Sequence, residues 1–108
     1  MSVYLIADIK VTNGDWVPAY AANVHNLVAR HGGKYLSRSG NITSLEGPNS
    51  DSTLIALLEF PDAAAFQAFA TDPEYAQYGA ARRAGSRSIF TLIDNTDIAG
   101  AISYLPKG

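Results

Sequence analysis

The chain has 108 residues, 47% hydrophobic and 17% charged, enough for one domain with one core and too apolar for a disordered segment. Eight basic against ten acidic residues leave a net charge of −2 without a basic run, which argues against a nucleic-acid partner. Zero cysteines exclude a disulfide framework and a thiolate metal site.

Val3, Leu5, Ala7, Ile9 and Val11 are apolar, with Tyr4, Ile6, Asp8 and Lys10 between them, so 3–11 reads as a strand with one wholly apolar face. Thr12-Asn13-Gly14-Asp15 ends it, and Asp15 is the expected cap of a helix with Pro18 in its first turn. Trp16, Tyr20, Val24, Leu27 and Val28 recur at helical spacing, and Arg30 and His31 suit the helix end before Gly32-Gly33 stops it. A second extended stretch runs from Lys34 to Ser39 and resumes from Ile42 to Glu46, with a turn or a bulge at Gly40-Asn41. After the polar loop 47–51, the nearly continuous apolar run Thr53 to Phe60 predicts a central strand buried on both faces.

Pro61-Asp62 opens a helix whose expected inner face is Ala65, Phe66, Phe69 and Ala70. Asp72-Pro73-Glu74 starts another, carrying Tyr75, Tyr78 and Arg82 and running down by Gly85. Arg87 to Asp94 is the last strand. Together these predict a single α+β domain over 1–108, with a core over 3–94 and a C-terminal extension over 95–108. Its order is the ferredoxin-like β-α-β-β-α-β arrangement, a four-stranded antiparallel sheet with the helices on one face. The uncovered face is apolar enough to predict a homodimer. The opening Met1-Ser2-Val3-Tyr4 lacks a signal-peptide pattern and no apolar stretch approaches ~20 residues, so the expectation is a cytoplasmic protein without a membrane partner.

Tyr4-Leu5-Ile6-Ala7-Asp8, Trp16 with Tyr20, and above all His31-Gly32-Gly33-Lys34-Tyr35-Leu36-Ser37-Arg38 resemble domain-of-unknown-function family 1330. Leu45-Glu46-Gly47, Glu59-Phe60-Pro61 and Asp72-Pro73-Glu74-Tyr75 with Arg82 follow in the same order, so the resemblance covers about 3–94. It implies the dimeric α+β barrel group. That group includes cofactor-independent monooxygenases, isomerases, haem-binding enzymes and proteins without known catalysis, so fold does not choose a reaction.

Among chemistry-bearing residues, Arg38 stands in a largely neutral strand, where a guanidinium can clamp a carboxylate; pairing to Glu46 or Asp8 is the structural alternative. Asp8 and Glu59 are carboxylates inside apolar strands and are candidate general bases or, more plainly, strand-end groups reaching solvent. Tyr4, Tyr20, Tyr35 and Tyr75 are candidates for an aromatic pocket with hydroxyl handles, although tyrosine packs well in any core. Tyr4 shares a strand face with Asp8. His25 and His31 lie six apart, not the i, i+4 spacing of a helical metal pair, and no cofactor or metal is expected.

The expected site is thus a small-molecule pocket with Asp8 as base and Arg38 holding negative charge. Tyr4, Tyr20, Tyr75 and Glu59 would be ligand-binding, and the partner a small acidic or aromatic metabolite. Cofactor-independent proton transfer or oxygenation is the implied chemistry; the alternatives are a non-catalytic binding or structural dimer, and a haem or metal protein.

Overall fold

The computed structural model describes residues 1–107; the last residue of the expected extension 95–108 lies outside them. Four strands, β1 (Val3–Val11), β2 (Lys34–Ser39), β3 (Leu54–Phe60) and β4 (Ser86–Asp94), form one antiparallel sheet in the order β2-β3-β1-β4. Three helices complete the fold: α1 (Val17–Arg30) connects β1 to β2, and α2 (Ala63–Ala70) and α3 (Pro73–Ala84) connect β3 to β4. This is the ferredoxin-like fold, with its second crossover helix broken in two.

Alternation decides which side of the sheet the helices cover. On β1, Val3, Leu5, Ala7 and Ile9 are buried while Tyr4, Ile6, Asp8 and Lys10 are half-exposed. On β3, Ala56, Leu58 and Phe60 are buried and Ile55, Leu57 and Glu59 are not. Despite its continuous apolar run, β3 is therefore buried on one face only, because no element covers the other.

The sheet is open, with β2 and β4 as free edges. The barrel implied by the family resemblance is corrected on this point. Small closed barrels need about eight strands to enclose their side chains, and four strands with helices on one face cannot close.

Local signals account for the helix ends. Asn13, rather than Asp15, accepts from the Asp15 amide at 3.0 Å and opens a 3-10 turn over Gly14–Trp16, which delays α1 to Val17. At the far end Gly32 takes φ +78, and the Gly32 and Gly33 amides donate to the Ala29 and Val28 carbonyls at 3.0 and 2.9 Å. Asp62 and Asp72 cap α2 and α3, accepting from the Ala65 and Glu74 amides at 2.7 and 2.9 Å. Asp72 also meets His31 Nε2 at 2.8 Å, tying the end of α1 to the start of α3; that hydrogen bond holds its carboxyl below the usual range.

The stretch 42–46 carries no strand, so β2 ends at Ser39 and a loop runs to β3. Its end is pinned at Thr53, whose amide donates to the Ile9 carbonyl at 2.7 Å and whose hydroxyl accepts from the Val11 amide at 2.9 Å. Beyond β4, Gly100 donates to the Leu105 carbonyl at 2.7 Å in a tight turn that leaves Ile98, Tyr104 and Leu105 exposed. No described helix is long and apolar enough to cross a membrane.

Candidate functional site

The register places Arg38, Ala56, Ala7 and Phe90 side by side across all four strands, on the helix side of the sheet. Two alanines in the middle of that row leave space that leucine or phenylalanine would fill. Above them lies a cavity of about 350 Å³ between the sheet and α1. Trp16 of the 3-10 turn with Tyr20 and Val24 of α1 form its roof, and Tyr35, Arg38 and Phe90 stand at its sides. An apolar chamber with a few polar groups is the usual form of a small-molecule site.

Arg38 reaches this chamber through a bulge. Tyr35 opposes Leu58, but Ser37 opposes Leu57 and Arg38 opposes Ala56, so pairing slips by one residue near Leu36. Residues three apart on a regular strand face opposite ways; the slip brings both to the helix side. The guanidinium carbon of Arg38 lies 4.3 Å from the Tyr35 ring centroid, a cation–π contact that orients it without neutralising it. Burial raises the Tyr35 phenol pKa against the opposing pull of Arg38.

Tyr20 bonds Tyr75 through their hydroxyls at 2.8 Å, and Trp16 stacks edge-on against Tyr20 with centroids 5.2 Å apart. Burial, followed by the neighbouring Tyr75, pushes the Tyr20 phenol far above the ordinary tyrosine range, so it stays a neutral donor at physiological pH. Tyr75 is buried just behind it, within the aromatic cluster of Phe60, Phe66 and Phe69.

The other expected site residues lie elsewhere. Asp8, Tyr4 and Glu59 are on the open face of the sheet, away from Arg38. Asp8 accepts a hydrogen bond from the Ser52 hydroxyl, and Glu59 pairs with Lys34 Nζ at 3.4 Å beside its cross-strand neighbour Tyr4. The structure thus brings Arg38 and Tyr20 together, holds Tyr75 one layer back and separates the three open-face residues from them.

Two residues that the sequence reading named without assigning them to the pocket belong to this region. His25 lines the cavity rim, with Nδ1 3.1 Å from the Ala21 carbonyl oxygen. A carbonyl only accepts, so Nδ1 donates in that bond, and Nε2 has no partner among the described residues. Arg82 is 5% exposed, with its guanidinium carbon 4.1 Å from the Phe90 ring centroid. Its position, two helical turns from Tyr75, was the available signal. Among the described residues, no group of three or more His, Asp and Glu side chains could hold a metal ion.

The fold is shared with solved structures of low identity. A protein of unknown function from Rhodopseudomonas palustris is 18% identical with a TM-score of 0.77, covering 89% of this chain and 83% of that one. SnoaB, a cofactor-independent oxygenase from Streptomyces nogalater, is 20% identical with a TM-score of 0.62, covering 89% and 94%. A dabb family protein with a ferredoxin-like fold from Mesorhizobium loti is 14% identical, also at 0.62, covering 89% and 96%. No curated protein matches the chain. The family described as a domain of unknown function, DUF1330, matches residues 2–96, and this chain belongs to it.

Proposed function

We propose that the chain binds a small, largely apolar molecule with an acidic group in the chamber above Ala7 and Ala56, and that Arg38 faces that group. The observation behind this reading is an unfilled apolar space bordered by an arginine that forms no ion pair among the described residues. The reading includes a homodimer. The open face presents Ile6, Ile55, Leu57, Ile89 and Ile93, of which Ile89 and Ile93 are 56% and 50% exposed, and a second copy would cover them.

Native mass spectrometry of freshly purified protein tests both parts. A dimer retaining a defined extra mass that Arg38→Ala loses is the expected result. A bare monomer that takes up no aromatic acid on titration would overturn it.

A second reading, cofactor-independent oxygenation or proton transfer in the same chamber, is favoured by His25 at the rim, whose Nε2 makes no hydrogen bond among the described residues. The fold shared with SnoaB supports it at the level of architecture alone. Non-catalytic binding leaves a bound aromatic acid chemically unchanged, which separates the two.

A further inference from the structure

The inner stripe of α3 is Tyr75, Gly79 and Arg82, spaced at i, i+4 and i+7 on one face. Tyr75 lies back across Gly79 in the direction of Arg82; a Cβ on Gly79 would stand 2.9 Å from its ring carbon Cε2. The stripe packs behind Tyr20, which lines the chamber. Arg82 is 5% exposed, its Nε is buried without a hydrogen-bond partner, and no carboxylate pairs with it among the described residues. Its one strong contact is the face of Phe90, at the end of the row that floors the chamber. A buried charge without a counter-charge is costly, and proteins ordinarily pair it.

Hydrogen bookkeeping gives the phenol pair a direction. Each hydroxyl carries one hydrogen, and the two oxygens share one bond. Tyr75 is enclosed, and Tyr20 is its hydroxyl's sole partner among the described residues. If Tyr20 donated, the Tyr75 hydrogen would be buried without an acceptor. If Tyr75 donates, its hydrogen is satisfied and the Tyr20 hydrogen remains free for another acceptor. The second arrangement leaves no buried donor unmet once an acceptor occupies the chamber.

Resting on the binding reading above, we infer that Tyr20 anchors one oxygen of the acidic group that Arg38 faces, with Tyr75 donating to Tyr20 and Arg82 supplying further positive charge behind the pair. The ligand class is an aromatic carboxylate or phenolate: a flat apolar body over the alanines and an oxygen anion at Tyr20. Tyr20 touches the ligand, whereas Tyr75 and Arg82 are positioning residues that act through it. Desolvation of the half-buried Tyr20 phenol keeps its hydrogen in place, consistent with a donor rather than an acid.

Calorimetric titration with naphthoate and its neutral counterpart naphthylmethanol tests this. The wild-type protein is expected to prefer the anion by roughly tenfold or more, the factor that a hydrogen bond to a charged group supplies. Tyr20→Phe and Arg82→Gln should bring the ratio towards one while naphthylmethanol affinity holds, and Arg82→Lys should restore much of it. Tyr75→Phe, which keeps the ring and so the packing, should lower the ratio even where an Arg82 variant fails to fold. An unchanged ratio in Tyr20→Phe and Tyr75→Phe would overturn the inference and leave the binding reading intact. Binding of neither probe to wild-type protein would remove both.

Discussion

Two neighbouring regions beneath the helices are built from opposite choices. Where β3 ends, Phe60 is fully buried and meets Phe66 and Phe69 with ring centroids 5.5 Å away in each case. Gly33 presses against it so closely that a Cβ would lie 2.6 Å from Phe60 Cε1. Midway along the same sheet, Ala7 and Ala56 oppose each other and nothing fills the space above them. Large side chains close one region and small ones open the other, on a single rigid sheet. The packed region supplies the stability that lets the hollow one exist, since a cavity forfeits the contacts its lining would otherwise make.

That contrast can be broken first at its strong end. Phe60→Ala should cost about 3–5 kcal/mol, measured as a lower urea midpoint at unchanged slope, because the surrounding rings cannot collapse into the gap. Gly33→Ala should follow at about 1–3 kcal/mol, since the added methyl must displace Phe60 or Val28.

Between the two regions stands the Tyr20–Tyr75 pair, and pH probes it. Burial raises the Tyr20 pKa, so folding favours the protonated phenol. Its contribution is complete below the ordinary tyrosine value of about 10 and is lost as pH rises beyond it towards the folded value. Urea midpoints should therefore fall above about pH 10, and less steeply in Tyr20→Phe. An identical alkaline decline in both proteins would show that the phenol is not held as described.

Much of this architecture was legible in the residues. The odd positions of β1 announced its buried face, and Asp72-Pro73 announced the break that splits the second crossover helix into α2 and α3. The barrel was a wrong expectation that came with the family resemblance; the sheet is open. The bulge was hidden for a different reason. A one-residue slip at Leu36 needs no special composition, yet it reverses the face on which Arg38 emerges. Asp8 and Tyr4 were correctly paired with each other on one strand face; which face the chamber uses depends on where space remains, and that depends on Ala7 meeting Ala56 across two strands. Arg82 escaped notice because burial of a charge without a partner is a property of packing, invisible in a helix whose last turn also carries the exposed Arg83.

The most direct test of the chamber is Ala56→Leu, read for stability and for naphthoate binding in the same preparation. If the space above the alanines is open, the larger side chain enters it. The urea midpoint then stays level or rises by up to about 1 kcal/mol in stability, while naphthoate binding disappears. If that region is instead close-packed like the Phe60 end, the substitution destabilises by about 1–3 kcal/mol, and a protein that still binds naphthoate would contradict the account.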